Sequence, residues 1–189
     1  MTSTHIIELY GAPNTGKTSI AHLAMGIILT KFPHIRAAYV PEMAKHYAYT
    51  GDHRPFHYQQ ILIGQQMDAI SALLGKVDVI ITDGPIETAC YYSNDKHSPA
   101  FYEGVRESAN FGHADIAIQR HPVLMRPSHS INHQMDGRIH DIDASQTLAD
   151  HIETYMNTYH PHHQKLDTPN LASVMKMIAP IRALFPTPN

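Results

Sequence analysis

The stretch GAPNTGKTS at positions 11–19 constrains the fold of this chain more than any other part of the sequence. It contains the pattern G-x-x-x-x-G-K-[ST], in which backbone N–H groups surround a polyphosphate and the lysine, here Lys17, reaches the β- and γ-phosphates. The pattern has this meaning only between a strand and a helix. An apolar, β-branched run at 5–10 precedes it, and apolar residues at helical spacing follow it as far as Phe32. The sequence therefore predicts a phosphate-binding loop, with a glycine-bearing turn as the structural alternative.

This loop makes ATP the expected phosphate donor and Mg²⁺ the expected metal ion. The Thr18 hydroxyl is the group that the pattern places on Mg²⁺, and Lys17 is expected to be catalytic because it contacts the phosphates. The loop residues predicted to bind the nucleotide are Gly11, Ala12, Pro13, Asn14, Thr15, Gly16, Lys17, Thr18 and Ser19.

Strands and helices alternate along the chain, and this order predicts a parallel sheet with crossover helices. The predicted strands cover 5–10, 35–42, 77–83 and 114–120, with a weaker pattern at 162–168. The predicted helices cover 17–31, 43–49, 57–75, 98–110, a capped segment from Asp143 onward, and 170–184. With the phosphate-binding loop, this order predicts the α/β three-layer fold of P-loop NTPases, a mostly parallel sheet flanked by helices. A chain of 189 residues without an internal repeat or linker fits one domain over 1–189.

Two carboxylates follow predicted strands and are expected to meet at the carboxyl edge of the sheet, where open α/β sheets bind ligands. Asp83 ends the apolar strand VDVIITD, and we expect it to hold Mg²⁺ directly or through water. The alternative is that Asp83 caps the turn at Gly84. Glu42 ends the second strand, where its carboxylate would accept a proton from an attacking hydroxyl. On local features alone, a helix-start glutamate favoured by the helix dipole is an equal interpretation of Glu42.

Polar residues at 121–137, with two prolines, are predicted to form a loop, and a segment over about 121–142 is expected to act as a lid. Arg138 lies just before the capped helix, so it is the arginine expected to neutralise charge that develops on the phosphates. Arg120, at the end of the fourth predicted strand, and Arg126, inside the loop, are the other candidate nucleotide ligands. Solvated surface charge is the alternative for these arginines.

Composition limits the remaining classes of function. A formal charge of −3 with neutral histidines gives no overall basic surface for nucleic acid, although the 16 histidines would add positive charge just below neutral pH. No apolar run is long enough to predict a membrane span, so we expect no membrane partner. The single cysteine, Cys90, and the lack of a signal-peptide pattern fit a cytoplasmic protein. The HPHH segment at 160–163 lacks cysteine partners and zinc-site spacing, which favours a polar turn.

Five segments in this order resemble a known family: LYGAPNTGKTS, YVPEMAKHYAY, QQILIGQQ, GKVDVIITDGPI and GRIHDIDASQTLADHIETYM. They are similar to the phage-type, AAA-like P-loop kinases that are related to ribosylnicotinamide kinases, and the similarity extends over about residues 5–160. The first segment is common to many NTPases, whereas the ordered set is more specific. The resemblance implies that Glu42 is the catalytic base and that Asp83 and Pro85 form the family's D-x-P motif. It also implies a lid, ending at Gly137, that supplies Arg138 to the phosphates.

Within this family, the chain looks similar to phage kinases that phosphorylate 5-hydroxymethyluracil already incorporated in DNA. The resemblance implies ATP-dependent transfer of the γ-phosphate to that hydroxymethyl group, in phage DNA within the host cell cytoplasm. Lys31, Arg36, Lys45 and Arg54 are the side chains expected to supply local positive charge for DNA. Two other functions stay open: a kinase of a free nucleoside, nucleotide or ribosylnicotinamide, and a P-loop ATPase or nucleotide-binding switch. The sequence does not predict an oligomeric state.

Overall fold

A five-stranded sheet with the strand order β2-β3-β1-β4-β5 forms the centre of the structure. The structure is a computed structural model, and it describes residues 2–92, 97–112, 115–126 and 142–186, with the backbone alone at 142–145. The strands are β1 Thr2–Tyr10, β2 Ala37–Val40, β3 Val79–Thr82, β4 Ile116–Met125 and β5 Gln164–Leu166. Every pairing between neighbouring strands is parallel. The predicted α/β class with a parallel sheet is therefore confirmed.

Helices cover both faces of this sheet. They are α1 Lys17–Lys31, α2 Met43–Thr50, α3 Arg54–His57, α4 Gln59–Ser71, α5 Thr88–Tyr92, α6 Pro99–Ser108, α7 Ile142–Tyr159, α8 Leu171–Ile178 and a 3₁₀-helix at Ala179–Leu184. Successive residues of a strand point to opposite faces. Accordingly, Ile7 and Ile81 pack with α1 and α8, whereas Ile6 and Ile80 pack with α4 and α6. Burial on both faces explains the continuous apolar sequences of β1 and β3.

The carboxyl ends of β1, β2 and β3 lie side by side at one edge of the sheet. The register pairs the end of β3 with Glu8 of β1 and with Val40 of β2. The chain leaves these three strands toward the loop at 11–16, toward Asp83 and toward Glu42. The strand order therefore brings the predicted phosphate-binding loop and both carboxylates to one edge, where open α/β sheets bind ligands.

Strand β4 is longer than the sequence predicts. It does not end at Arg120 but continues to Met125, so residues 121–125 belong to the sheet and not to the predicted loop. Pro122 hides this continuation in the sequence, because proline cannot donate to a strand ladder. The proline is accommodated because β5 pairs with β4 only from Val123 onward. The other predicted lid residues, 127–141, lie outside the described residues.

Smaller differences from the predicted elements have local causes. Helix α5 was not predicted, and the predicted helix at 57–75 is replaced by α3 and α4 on either side of Tyr58. The last predicted helix continues beyond α8 as a 3₁₀-helix, where Pro180 removes a backbone donor. The weak fifth strand is present as β5. Within the described part of the chain, no helix combines the length and the apolar character that crossing a membrane requires.

Candidate active site

The loop between β1 and α1 has a backbone that few residue types can adopt. Gly11, Asn14 and Gly16 have φ angles of 147°, 70° and 84°, in the region that glycine and, less readily, asparagine tolerate. A Cβ atom on Gly11 would lie 2.6 Å from the carbonyl oxygen of Met125 at the end of β4. A Cβ atom on Gly16 would lie 2.8 Å from the ring of Pro169. The two glycines of the motif are therefore required both by conformation and by close packing.

This loop presents the N-terminus of α1 to a ligand. The first turn of α1 contains no acidic residue, and Gly16 at its N-cap makes no side-chain cap. The first N–H groups of a helix lack intrahelical partners, and with the helix dipole they favour an anion. Inside the loop, the buried Thr15 hydroxyl donates to the Ala12 carbonyl at 2.9 Å, while Pro13 and Asn14 are half-buried and Ser19 is exposed on α1. The arrangement fits the polyphosphate-binding loop that the sequence predicts.

The Lys17 side chain folds back over this loop. Its ammonium donates to the carbonyl oxygens of Gly11 at 2.6 Å and of Ala12 at 3.0 Å. The residue is only 8% exposed. The charge is thus held at the loop by neutral backbone acceptors, and a phosphate oxygen would replace them with a stronger, charge-assisted bond.

Asp83 connects the phosphate-binding loop to the second strand–helix junction. One carboxylate oxygen, Oδ2, accepts from the Thr18 hydroxyl at 2.6 Å, and the other, Oδ1, accepts from the backbone N–H of Glu42 at 2.8 Å. Asp83 is fully buried. Burial alone would raise the pKa of Asp83, but Lys45, Thr18 and Lys17 outweigh it and hold the pKa below its usual value. Asp83 is therefore an ionised carboxylate that fixes the geometry of the site.

Lys45 also belongs to this site, although the sequence predicts for it a role in attracting DNA. Its ammonium lies 2.5 Å from Oδ2 of Asp83, donates to the Thr18 hydroxyl, and lies 3.9 Å from the carboxylate of Glu42. The sequence signal that points to this position is helical spacing, since Lys45 follows Glu42 by three residues at the start of α2. The structure therefore places a positive charge between Thr18 and Asp83.

Thr18 and Asp83 are the two predicted ligands of Mg²⁺. A hydroxyl and a carboxylate are the hard oxygen donors that Mg²⁺ prefers, and the ammonium of Lys45 between them demonstrates that this point accommodates a cation. These two residues therefore fit the ion. Thr18 and Asp83 would hold the ion, and its positive charge would compensate the charge that develops on the phosphates.

Glu42 occupies the N-cap position of α2 beside this group, although its side chain makes no capping hydrogen bond. Its side chain is 18% exposed, and its pKa is raised mainly by burial, with the charge of Asp83 adding to the effect and those of Lys17 and Lys45 opposing it. The backbone of Gly84 lies directly against Glu42, because a Cβ atom on Gly84 would be 2.8 Å from the Glu42 Cα. The position predicted for a general base is therefore next to the phosphate-binding loop and is fixed by close backbone contact.

Gln66 of α4 contacts both the start of α2 and the end of β3. It is 5% exposed, its Oε1 accepts from the backbone N–H of Met43 at 3.1 Å, and its Nε2 donates to the Thr82 hydroxyl at 3.1 Å. These bonds give Gln66 a buried positioning role, because they connect the start of α2 to the end of β3.

Arg120 does not lie at the end of its strand, where the sequence predicts it, and the structure gives its guanidinium carboxylate partners. Because β4 continues to Met125, Arg120 lies in mid-strand, paired in register with Ile6. Its guanidinium donates to the buried carboxylates of Glu8 at 2.9 Å and Glu87 at 2.6 Å. His160, from the predicted polar turn, also contacts Glu87 at 2.6 Å. Arg120 therefore belongs to a buried ionic network.

Arg126 is better placed to contact a nucleotide. It follows Met125, whose carbonyl oxygen touches Gly11 at the start of the phosphate-binding loop. Its guanidinium pairs with Glu153, which leaves Nε buried without a hydrogen-bond partner among the described residues. Arg138, the preferred candidate from the sequence, lies outside the described residues. Arg126 thus keeps its candidate role on geometry, and Arg138 keeps it on sequence alone.

Comparisons with known proteins match the fold of this chain and not its sequence. No family model matches the sequence, and no curated protein matches it either. Among solved structures, thymidylate kinase from Ehrlichia chaffeensis matches with a TM-score of 0.62 at 12% identity, over 97% of this chain and 100% of that one. Deoxyadenosine kinase from M. mycoides, solved with the products dCMP and dCDP, matches with a TM-score of 0.55 at 14% identity, over 95% and 98%. At such identities the likeness shows a shared fold, which extends over almost the whole chain.

Proposed function

We propose that this protein is an ATP-dependent kinase that transfers the γ-phosphate of ATP to a hydroxyl group of a nucleoside-type acceptor. The observation that carries the proposal is the double contact of Asp83, which binds the Thr18 hydroxyl of the phosphate-binding loop and the backbone of Glu42. A carboxylate that serves as a base is thereby held beside the loop that binds the donor. Since a P-loop ATPase also positions its attacking water with a fixed side chain, the fate of the transferred phosphate distinguishes a kinase from an ATPase.

In the proposed reaction, the acceptor hydroxyl donates a hydrogen bond to the Glu42 carboxylate, which orients the oxygen toward the γ-phosphorus. A bond forms between that oxygen and phosphorus as the bond to the β–γ bridging oxygen breaks, and ADP is the leaving group. Glu42 takes the proton of the hydroxyl late in the transfer. Lys17 moves from the carbonyl oxygens of its own loop to the β- and γ-phosphates, where it stabilises the charge that develops.

Arginines are proposed to complete the charge compensation. Arg126 is supported by its position beside Gly11 and by its buried Nε, which has no hydrogen-bond partner among the residues that the structure describes. Arg138 is supported by the sequence pattern Gly-Arg before the predicted capped helix. The same pattern supports the proposed lid over about 121–142, except for residues 121–125, which belong to β4. Either arginine would act on the phosphate oxygens as charge develops.

Two acceptors are proposed for different reasons. The ordered sequence motifs support the hydroxymethyl group of 5-hydroxymethyluracil in phage DNA. A free nucleoside or nucleotide is supported by the names of the two kinases that share the fold. It is also supported by the ion pairs of Arg36 with Asp78 and of Arg54 with Asp52, because a DNA phosphate would have to replace these carboxylates.

A labelling experiment tests the proposal. Purified protein is incubated with γ-labelled ATP and Mg²⁺, and with duplex DNA containing 5-hydroxymethyluracil or a panel of free nucleosides and nucleotides. The expected result is label on one class of acceptor, lost in Glu42→Gln. Release of labelled inorganic phosphate alone, unchanged by Glu42→Gln, would replace the kinase with an ATPase.

A further inference from the structure

We infer that Lys45 is a tethered cation that occupies the metal position of this site in the metal-free protein and must leave it when a divalent ion binds. The ammonium contacts both oxygens that fit Mg²⁺, the hydroxyl of Thr18 and Oδ2 of Asp83. Asp83 is fully buried, so its negative charge requires a compensating charge at all times. In the metal-free protein, Lys45 supplies that charge.

The same two oxygens cannot hold the ammonium and a divalent ion together. Ligand oxygens lie about 2.0–2.1 Å from Mg²⁺, so an ion bound to both would meet the ammonium well within van der Waals contact. Like charges at that separation repel strongly in a partly buried site. The ion can therefore bind only after Lys45 has moved away. Until Lys45 moves, its ammonium opposes binding of the ion.

The Lys45 side chain is able to move because part of it faces solvent. Its exposed fraction is 36%, compared with none for its partner Asp83, so the side chain reaches solvent on one side. It projects from the first turn of α2, three residues after Glu42 and 3.9 Å from the carboxylate of that residue. The ammonium therefore has a solvent-facing route away from the two oxygens, and the use of this site for Mg²⁺ rests on the proposed function.

The first test uses the metal alone and needs no nucleotide. Mn²⁺ binding to the nucleotide-free protein is measured by electron paramagnetic resonance for the wild type, Lys45→Met and Lys31→Met. Lys31 is a matched control, an exposed lysine at the far end of α1. Removing the competing ammonium should tighten Mn²⁺ binding by at least about tenfold in Lys45→Met only, a change of about 1.4 kcal/mol. Equal Mn²⁺ binding by all three proteins would overturn the inference.

A second test compares ADP binding by Lys45→Met with and without the metal, and the effect of the substitution should differ between the two conditions. In excess chelator, Lys45→Met should bind ADP about tenfold more weakly than the wild type, because neither the metal ion nor the Lys45 ammonium is present to compensate the phosphate charge. With saturating Mg²⁺, the same variant should bind ADP as tightly as the wild type or more tightly. Lys45→Arg, which keeps the charge, should follow the wild type in both conditions. Parallel losses in both conditions would overturn the inference.

The outcomes separate this inference from the proposed function. A wild-type protein that binds Mg²⁺ and ADP but transfers no phosphate would contradict the kinase and leave the two metal tests intact. If Lys45→Met does not fold, nitrogen-detected NMR of the wild-type lysine ammonium groups gives the same decision. The hydrogen-bonded Lys45 signal should shift when Mg²⁺ and ADP are added together, and an unchanged signal would contradict displacement.

Discussion

Among the residues of the candidate site, Lys17 is the one whose removal should lower turnover most directly, because it is expected to contact the phosphates. In the structure its ammonium donates to the carbonyl oxygens of Gly11 and Ala12, at the loop predicted to bind the phosphates. We expect Lys17→Ala to lower turnover by at least about 10²-fold, the scale observed when preorganised charge stabilisation is removed. Steady-state kinetics at saturating ATP measure this loss, with Lys31→Ala as the control. Near-normal turnover in Lys17→Ala would contradict the assignment of the loop.

Glu42 gives a second prediction at the residue scale, in which binding and chemistry separate. Glu42→Gln keeps the shape of the side chain and removes its basicity, so phosphate transfer should fall by about 10²- to 10⁴-fold while ADP binding is retained. Transfer rates and ADP titration by calorimetry measure the two effects. Equal losses of binding and of transfer would indicate that Glu42 only caps α2.

The raised pKa of Glu42 also fixes the direction of the pH dependence. Only the ionised carboxylate accepts a proton, so activity is lost as pH falls through the pKa of Glu42. Because burial raises this pKa, the acid limb of the wild-type profile should lie above the ordinary value for glutamate of about 4.3. The residual activity of Glu42→Gln should lack this limb, and an acid limb at the ordinary value would contradict the assignment.

At the scale of elements, the segments that were predicted well are those whose own sequence determines their environment. β1, β3 and α1 have apolar patterns that are sufficient to place them, and the glycines between β1 and α1 mark the loop. β4 was predicted too short because His121 and Pro122 interrupt its pattern, although pairing with β1 continues past them. The Lys45 contact depends on how α2 lies across the sheet edge, which no local pattern contains.

The contact between Gly84 and α2 allows a test of how precisely the elements must meet. An alanine at Gly84 would place its Cβ 2.8 Å from the Glu42 Cα and 3.0 Å from the Glu42 Cβ, and backbone atoms cannot rotate away. Gly84→Ala should therefore displace Glu42 and lower the transfer rate by roughly 10-fold to 10²-fold, since small misplacements of reacting groups have large effects. Binding of ADP to the loop should change little.

Gly26→Ala is the matched control for this substitution. Gly26 is an exposed residue within α1 and has no atom within 4 Å of an added Cβ. This variant should keep full activity and should gain up to about 1 kcal/mol in the free energy of unfolding, because alanine favours the helix. Kinetics and urea denaturation of both variants check the pair. Full activity of Gly84→Ala would show that the base position tolerates movement.

At the scale of the whole molecule, an ionic network joins the sheet to the helices on one face. Arg120 of β4 contacts Glu8 of β1 and also Glu87, which follows β3. Glu87 in turn accepts from the Tyr155 hydroxyl of α7 and contacts His160. Glu8 and Glu87 are almost completely buried, so their charges depend on these partners. The network therefore gives Arg120 a structural role in the centre of the sheet.

The pKa of Glu87 makes this network a source of pH-dependent stability. Burial would raise this pKa, but His160 and Arg120 outweigh burial and lower it to about 2, from a model-compound value of 4.5. The stabilising contribution of Glu87 is therefore complete above about pH 4.5 and is lost as pH falls toward 2. Glu87→Gln should be less stable than the wild type by about 3 kcal/mol at neutral pH, and the difference should shrink across that window.

Urea denaturation at several pH values measures this prediction. Glu103→Gln is the control, because Glu103 also pairs with an arginine but its side chain is 61% exposed. An exposed pair contributes at most about 1 kcal/mol, so this variant should follow the wild type closely. A stability difference for Glu87→Gln that stays constant from pH 7 to pH 2 would contradict the assignment of the titration to Glu87.

The charge distribution of the whole molecule bears on DNA as the proposed acceptor. The formal charge is −3, and three of the four residues expected to attract DNA are paired with carboxylates: Arg36 with Asp78, Arg54 with Asp52 and Lys45 with Asp83. Each phosphate contact contributes about −0.9 to the slope of log K against log salt concentration for duplex DNA. We therefore expect few contacts and a shallow slope, of magnitude about 2 to 3, for duplex containing 5-hydroxymethyluracil.

A change of pH should alter this DNA binding in a known direction. The chain has 16 histidines, and histidine is the side chain that gains positive charge as pH falls below neutrality. Burial lowers the pKa of His5 and lowers that of His121 to about 4, so these two do not contribute to the effect. Raising the pH from about 6 to 8 should therefore weaken binding to the duplex, because the local positive charge is lost. Fluorescence anisotropy with modified and unmodified duplexes measures both effects. If neither duplex binds while a free nucleoside is phosphorylated efficiently, DNA is the wrong acceptor and the kinase assignment stands with the small molecule as its substrate.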